Sequence, residues 1–270
     1  MTDTPTLVAP LRLFLLTFLF AVPFWILGFL VESPDAVPMA MPVSALMFVC
    51  PAIAATLLAW QEGRSAAVRA LWGRLLVPPR PRRWVWYAAI PLVSAGPVLT
   101  HLLLRFAGEP VSMPQPTLPG VLALVCVYLG AAAAEEVGWT AYATDALRAR
   151  HGALTTALVI GVVSAAWHVV PWSQVHPPDW VAWQFLATVA LRVLWTWVYV
   201  NTGASVAAVV VSHMLINLWG TLTPTYHTVA AHATSAVLTA LAAGAVVVLW
   251  EARTLTRLRW KPRPPQPEPH

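Results

Sequence analysis

The chain alternates long runs of apolar residues with short polar segments rich in arginine. Eight runs have about the 20 residues that a helix needs to cross a membrane core of roughly 30 Å. They cover residues 11–32, 40–60, 84–106, 119–143, 153–172, 181–200, 204–222 and 229–250. Because a backbone exposed to lipid must satisfy its own hydrogen bonds, and because alternating ten-residue strands are absent, these runs predict helices. We therefore expect an all-α, polytopic membrane helical bundle with about eight transmembrane helices.

Composition and charge agree with a membrane protein. Of the 270 residues, 59% are apolar and 10% are charged, whereas ordinary soluble domains carry about 25% charged residues. The net charge of +5 rests on basic residues that are scattered between the apolar runs. Nucleic-acid binding would require those residues to cluster on one face, so it is disfavoured. The expected partners are the lipid bilayer and a membrane-associated peptide or protein, and no nucleic acid.

The basic residues also predict the orientation of the bundle. If the N-terminus is cytoplasmic, the cytoplasmic segments hold every basic residue of the chain except Arg105 and Arg192. Because positive charges are retained on the cytoplasmic side of short loops, both termini are expected in the cytoplasm. The arginine-rich, lysine-poor usage suggests a high-GC bacterium. The expected location is therefore a bacterial cytoplasmic membrane.

Ionisable residues inside the predicted helices are few. A charge or an imidazole in the membrane core costs several kcal/mol by most scales, so each one is a functional hypothesis. They occur in the fourth to seventh apolar runs, and the seventh adds an asparagine: Glu135, Glu136, His168, Arg192, His213 and Asn217. A single such residue is often only a packing hydrogen-bonder, but the whole set favours a functional site.

The positions of these residues predict that they converge at one depth. Glu135 and His168 are equally distant from the turn near Gly152, about 24 Å along their helices at 1.5 Å per residue. Asn217 follows His213 by four residues and shares its helical face. Glu135 and Glu136 differ by about 100° around their helix, so only one can point directly at a common centre. The layer is expected nearer the cytoplasmic boundary, which suits substrates that arrive from that leaflet.

Three segments carry a resemblance to a known family. They read EEVGWTAYATDALRARHG, SAAWHVVPW and NTGASVAAVVVSHMLINLWG in chain order. In this order and spacing they resemble the CPBP family of intramembrane proteases, which contains CaaX prenyl endopeptidases and bacteriocin-processing, Abi-like proteins. The likeness covers about residues 120–220. It makes residues 119–222 the CPBP-like catalytic core, preceded by three transmembrane helices in 1–118 and followed in 223–270 by the last helix and a basic, proline-rich cytoplasmic tail.

The resemblance implies an endopeptidase that cleaves a membrane-associated or lipidated substrate. Glu135 and His168 would activate a water molecule for attack on the peptide bond. His213 and Asn217 would stabilise the oxyanion of the tetrahedral intermediate. Both tasks are the usual requirements of peptide hydrolysis: a positioned base and donors aimed at the developing charge.

The sequence departs from the family pattern at two positions. The family often has arginine five residues after the first glutamate, and Thr140 stands there; Ser164 replaces a phenylalanine four residues before the first histidine. The missing arginine would have held the charge of Glu136. We expect Arg192, at the same depth, to take over this pairing, or a protonated Glu136 to bond Thr140. These three residues are therefore the expected supporting set.

Other mechanisms and other functions stay open from the sequence. Zinc is an alternative cofactor, because Glu135, His168 and His213 form a two-histidine, one-carboxylate set with a fourth position for water. The sequence contains no HExxH motif, and Ser164 lacks the GxSG context of a serine nucleophile. A proton-coupled transporter would also use intramembrane Glu, His and Arg, although it usually shows internal repeats. A catalytically silent immunity or binding protein on the same scaffold is the third interpretation.

Overall fold

The computed structural model describes residues 8–31, 41–80, 84–109, 111, 116–223 and 228–260, and these ranges contain helices and turns but no β-strand. The α-helices are α1 (Val8–Leu30), α2 (Cys50–Gly73), α3 (Val85–Leu92), α4 (Gly96–Phe106), α5 (Leu118–Glu136), α6 (Asp145–His151), α7 (Ala153–Val175), α8 (Pro178–Asn201), α9 (Val206–Leu222) and α10 (Val229–Leu249). A 3-10 segment, Val43–Val49, leads into α2, and a π-helical segment, Val137–Thr144, joins α5 to α6. The predicted proline-rich tail after residue 260 lies outside the described residues.

Helix boundaries follow local chemistry. The side chains of Thr117, Ser205 and Thr228 cap α5, α9 and α10 by accepting hydrogen bonds from backbone N–H groups three residues later. Such caps satisfy donors that the first helical turn leaves without intrahelical partners. Gly152 separates α6 from α7 with a φ of 79°, a left-handed conformation that glycine adopts without steric cost.

The helices have the length and composition of membrane spans. In the described ranges, six helices or continuous helical units are long and apolar enough to cross a membrane, and the bent pair of α3 and α4, which meet at 69°, raises the number to seven. The seventh predicted run, 204–222, forms α9, which is apolar but has only 17 residues. The prediction of an all-α, polytopic membrane bundle is confirmed. The number of crossings and the cytoplasmic termini stay predictions.

The packing of α8 against α7 and α9, and of α9 against α5, positions the polar residues of the membrane interior. Helix α8 packs against α7, α9 and α10, and α5 packs against α9 and α2. A Cβ atom on Gly161 of α7 would lie 3.1 Å from the Cα of Val189 and 3.2 Å from the Cβ of Arg192. The missing side chain therefore lets α7 and α8 approach closely at the level of Arg192.

Most arginines gather at one end of the bundle, where α2, α6, α8 and α10 end and α7 and α9 begin. We call this end the arginine face. All described arginines other than Arg105 and Arg192 lie in its loops, in α6, in the second half of α2 or near the start of α1. At its centre, Arg74 donates to Asp145 at 2.6 Å, and the Tyr199 hydroxyl donates to the same carboxylate at 2.9 Å. This network ties the segment after α2 to α6 and α8.

Candidate active site

Glu136, the last residue of α5, is completely buried and is bonded by three side chains. Its carboxylate accepts two hydrogen bonds from the guanidinium of Arg192, at 2.8 Å and 3.1 Å. It accepts a third from Nδ1 of His213 at 2.9 Å, and the hydroxyl of Thr140 donates a fourth. Bidentate, charge-assisted bonds of this kind are among the strongest that side chains make. Because both oxygens of Glu136 accept hydrogen bonds, its role is to position the side chains of Arg192 and His213.

The contacts of Arg192 agree with the pairing expected from the sequence. The guanidinium, which is 3% exposed, reaches from α8 to Glu136 and also lies 3.4 Å from the hydroxyl of Thr140. Arg192 therefore supplies from another helix the charge that a family arginine at position 140 would supply from the same helix. Thr140 is small enough to leave that space open and adds a hydrogen bond of its own.

The π-helical segment Val137–Thr144 follows the two glutamates directly. A π turn is wider than an α turn and occurs frequently at functional sites. Gly138, inside the segment, lies against the start of α2: a Cβ there would be 2.7 Å from the Cβ and 2.8 Å from the carbonyl oxygen of Pro51. Arg74 donates to the carbonyl oxygen of Ala141 in the same segment. The backbone that carries the glutamates is therefore held from two sides by α2 and the turn after it.

Glu135 and His168 face each other at a distance that suits one bridging water. The Nε2 atom of His168 lies 3.9 Å from Oε2 of Glu135, which is beyond direct hydrogen-bond reach. The Nδ1 atom of the ring lies 2.8 Å from the carbonyl oxygen of Ser164, so Nδ1 carries the proton and Nε2 presents a lone pair when the ring is neutral. A point about 2.8 Å from both Nε2 and Oε2 exists, and two acceptors converge on it.

His213 and Asn217 lie on one face of α9 and line the same cavity as Glu135 and His168. Because Nδ1 of His213 donates to Glu136, the nitrogen left to face a bound molecule is Nε2. Nε2 donates a hydrogen bond when the ring carries both protons. The amide of Asn217, one helical turn further on, offers a second type of donor.

Two tryptophans hold the histidine rings. The ring of Trp172 stacks on His168 with centroids 4.9 Å apart and an angle of 11° between the planes. Trp195 stacks on His213 at 4.7 Å, and its ring also lies 4.9 Å from the guanidinium carbon of Arg192. Such contacts restrict ring rotation and, for the guanidinium, add a cation–π attraction. Trp195 therefore orients two polar groups of the site at once.

The polar residues lie at the closed end of a large apolar cavity. Its volume is about 900 Å³, at the upper end of the range of about 300–1,000 Å³ typical of ligand sites. Aliphatic and aromatic side chains from the 3-10 segment, α5, α7, α8 and α9 form its walls. Ser164 also lines it, but its hydroxyl is bonded to the carbonyl oxygen of Gly161 at 3.2 Å. This bond disfavours Ser164 as a nucleophile, as the sequence context also does.

The cavity leads away from the arginine face. Its lining includes residues at the opposite ends of the helices: Val43, Thr117, Val175, Trp180 and Gly220. Among the described residues, none from the π-helical segment, from α6 or from the loops of the arginine face lines it. This differs from the access expected from the sequence, which was on the arginine-rich side. The difference arises because depth along a helix does not say on which side the neighbouring helices leave space.

The residues proposed for zinc do not form a metal-binding group. In the ranges that the structure covers, no cluster of three or more His, Cys, Asp and Glu side chains is arranged to hold a metal ion. The Nδ1 atoms of His168 and His213 are bonded to the carbonyl of Ser164 and to Glu136, so each ring presents Nε2, as the rings of metal-ligating histidines also do. The described geometry nevertheless does not bring these two rings and Glu135 together as a zinc-binding set.

Sequence reasoning found the charged residues of the site and missed its aromatic and backbone supports. Trp195 follows Arg192 by three residues, and Trp172 follows His168 by four, so helical spacing places each pair on one face. That spacing was the available signal. Trp172 lies near a helix end, where the sequence favours a role at the membrane interface. The hydrogen bond from Arg74 to the π-helical segment has no sequence signal, because it joins residues far apart in the chain.

The fold and the site together define a class of protein. It is an integral membrane protein in which buried Glu, His and Arg side chains meet at the end of an apolar cavity between helices. Such a constellation supplies a base, hydrogen-bond donors and an apolar binding space in one place.

Comparison with known families identifies the class more narrowly. Residues 116–219 match the family described as Type II CAAX prenyl endopeptidase Rce1-like. The matched segment contains all of the candidate residues from Glu135 to Asn217. This match supports the family that the motifs indicated, the CPBP intramembrane proteases, and implies a CAAX protease-like hydrolase of the membrane. Among curated proteins, the comparison found no match.

Proposed function

We propose that the protein hydrolyses a peptide bond inside the membrane by means of a water molecule held between Glu135 and His168. The observation that carries this proposal is the convergence of a carboxylate oxygen and the Nε2 atom of a histidine, 3.9 Å apart, on the cavity. A water there donates one hydrogen to each acceptor. Its lone pair then points toward the cavity, where a carbonyl carbon can bind.

The proposed reaction needs no covalent intermediate with the protein. Glu135 takes a proton from the attacking water while the oxygen atom of that water bonds to the carbonyl carbon of the peptide. The carbonyl oxygen becomes an oxyanion. The amide of Asn217 stabilises it by a hydrogen bond, and so does Nε2 of His213 when both nitrogens of that ring carry hydrogen. The proton held by Glu135 then passes to the leaving amine as the C–N bond breaks. Products are a carboxylic acid and an amine.

The supporting residues fix the donors. Glu136 and Arg192 neutralise each other and hold Nδ1 of His213, so the ring cannot turn its Nε2 away from the cavity. Thr140 bonds the same carboxylate. Pre-positioned donors in a site that excludes water stabilise developing charge far more than mobile ones do.

The proposed substrate is a peptide attached to an apolar membrane anchor. The cavity is large and apolar along most of its length, whereas the polar groups occupy only its closed end. An apolar anchor removes its surface from water or lipid headgroups in such a space, and the attached peptide bond then lies beside Glu135. The proposed location is a bacterial cytoplasmic membrane.

The test uses purified protein in detergent or liposomes with a library of lipid-modified peptides, and cleavage is followed by mass spectrometry. Glu135→Gln and His168→Asn should each lower the cleavage rate by at least about a hundredfold, the usual scale for loss of general-base catalysis. Glu62→Gln is the matched control. Glu62 bonds Tyr142 and does not line the cavity, so this variant should cleave normally.

Three results would contradict the proposal. Full activity in folded Glu135→Gln protein would remove the proposed base. Proton-coupled solute flux without cleavage would favour the transporter. Absence of cleavage by a folded wild-type protein against the whole library would favour the silent immunity or binding protein.

The proposed mechanism also makes a prediction about metal. Because no group of three or more His, Cys, Asp and Glu side chains among the described residues is arranged to hold a metal ion, activity should survive prolonged dialysis against a strong zinc chelator. Elemental analysis of the dialysed, active protein provides the second measurement. Loss of activity that returns on addition of zinc alone would replace this mechanism by a metal-activated water.

A further inference from the structure

We propose that substrates reach the site from the membrane side opposite the arginine face, as peptide segments whose apolar anchor lies in the non-cytoplasmic leaflet. The identity of the occupant rests on the proposed function. The direction of access rests on the cavity and on the charges of the loops, and it is tested without any catalytic assay.

The cavity occupies only one part of the length of each helix. Lining residues extend to the helix ends opposite the arginine face: Val43 begins the 3-10 segment, Thr117 caps α5, and Val175 ends α7. In the other direction the lining stops at the polar layer, with Glu135 on α5 and Trp195 on α8. The site is therefore open toward one membrane face only, as far as the described residues extend.

Hydrogen bonds close the arginine face. The backbone N–H of Arg80 donates to the carbonyl of Thr202 at 2.9 Å, and the hydroxyl of Ser205 donates to the carbonyl of Val77 at 3.1 Å. These bonds hold the segment after α2 across the ends of α8 and α9. Together with the bonds of Arg74 to Asp145 and Ala141, they seal the bundle beneath the site.

A second set of bonds closes the same face beside α7. The backbone N–H groups of Ala153 and Leu154 donate to the carbonyls of Arg253 and Ala252 at 2.8 Å and 3.0 Å, and the amide of Asn201 donates to the carbonyl of Leu255 at 2.9 Å. The chain after α10 is thereby fixed over the ends of α7 and α8. A substrate approaching from this face would have to break several backbone hydrogen bonds.

The cavity wall meets the outer surface of the bundle along a seam between the 3-10 segment and α5. Leu46, on the 3-10 segment, is 53% exposed, and Val127, on the adjacent α5, is 64% exposed, yet both also line the cavity. A wall residue that faces both the cavity and the outside marks a lateral opening. Because this seam lies in the half of the bundle away from the arginine face, an apolar anchor would enter sideways from that leaflet.

The distribution of charged residues indicates how the protein is oriented in the membrane and what kind of molecule the cavity binds. Retention of positive residues on the cytoplasmic side makes the arginine face cytoplasmic, so the cavity faces the other side. Among the described lining residues, Arg192 is the only arginine or lysine and Glu135 the only carboxylate, and both lie at the closed end. The mouth therefore suits an uncharged, apolar anchor better than an anionic headgroup.

The experiment is cysteine labelling in spheroplasts of an expressing bacterium with a membrane-impermeant maleimide. The background is Cys126→Ser, because Cys126 is exposed, whereas Cys50 is buried and is retained. Pro116→Cys reports the cavity mouth, and Ala66→Cys, an exposed position in the second half of α2, reports the arginine face. Pro116→Cys should be labelled in intact spheroplasts, and Ala66→Cys only after permeabilisation.

A matched pair inside the membrane tests whether the mouth is continuous with the site. Ala131 lines the cavity, whereas a Cβ on its neighbour Gly130 meets no atom within 4 Å, so Gly130 faces outward into lipid. A small cationic methanethiosulfonate added outside should modify Ala131→Cys and leave Gly130→Cys unmodified. Neither position belongs to the polar site.

The outcomes separate this proposal from the proposed function. Labelling of Ala66→Cys alone, or of both positions equally, in intact spheroplasts would overturn the direction of access. Failure to modify Ala131→Cys from outside would overturn the continuity of the cavity. Both results would leave the catalytic role of Glu135 unaffected, and loss of that role would not alter the labelling pattern.

Discussion

Two adjacent glutamates have different environments in this site, and the difference follows from what each side chain reaches. Glu136 meets Arg192 and His213, so its charge is balanced and its oxygens are filled. Glu135 has Nε2 of His168 at 3.9 Å and is 6% exposed at the cavity. The 100° rotation between neighbouring helical residues predicts that they differ. It does not predict which of them turns toward the cationic partner.

The Glu136–Arg192 pair should contribute to stability mainly through the cost of breaking it. Replacing Arg192 by methionine leaves a buried carboxylate without its main counter-charge, so the free energy of unfolding should fall by about 3–5 kcal/mol. Peptide cleavage should also be lost, because His213 is no longer held. Denaturant unfolding of the purified protein in detergent measures the first effect.

A double variant separates the lost charge from lost packing. In Glu136→Gln/Arg192→Met the buried group is neutral, so the double variant should unfold at higher denaturant concentration than Arg192→Met alone. An Arg192→Met protein as stable as the wild type would show that Glu136 is protonated and bonded by Thr140 instead. That was the second possibility predicted from the sequence.

At the scale of elements, the π-helical segment Val137–Thr144 is the least predictable part of the site. Its residues have ordinary helical periodicity, and the sequence predicts an uninterrupted helix over 119–143. The wider turn is compatible with contacts that only the folded bundle provides: the close approach of Pro51 to Gly138 and the hydrogen bond from Arg74 to Ala141. Local helix propensity is therefore sufficient to predict a helix here, but not to predict that the helix widens into π turns.

The Gly138 contact gives a prediction with an internal control. A methyl group at Gly138 would overlap Pro51, and overpacking of this kind costs typically about 1–3 kcal/mol. Gly138→Ala should therefore lower the free energy of unfolding and, because the glutamates directly precede this residue, the cleavage rate. Unfolding and peptide cleavage are measured on the same preparation.

Gly130→Ala is the control, because its added methyl group meets no atom within 4 Å. Gly130 lies in α5, within the same continuous helical unit, Leu118–His151, as Gly138. Gly130→Ala should leave both stability and activity at or slightly above the wild-type level, since alanine favours helices over glycine. Equal effects of the two substitutions would show that α5 responds to glycine replacement as such and not to the contact with α2.

The whole molecule combines an orientation set by charge with a cavity set by packing. The arginine face predicts cytoplasmic termini. A green fluorescent protein fused to the C-terminus should therefore be fluorescent in bacterial cells, whereas an alkaline phosphatase fused at the same point should be inactive, because each reporter works on only one side. Active phosphatase with dark fluorescent protein would invert the bundle and place the cavity mouth in the cytoplasm.

The sequence by itself determined the membrane bundle, the residues that form its polar layer and the family. Each of these depends on composition, helical spacing or residue identity. These properties can be taken from short stretches of the sequence without knowledge of contacts between distant residues. It also predicted the partnership of Arg192 with Glu136, because a buried charge requires an opposite charge at the same depth. Only the tertiary structure decided the hydrogen bond of His213 to Glu136, the tryptophan stacking, the π-helical turn and the direction in which the cavity opens. These depend on how several helices rotate and approach one another, and residues distant in the chain set that packing jointly.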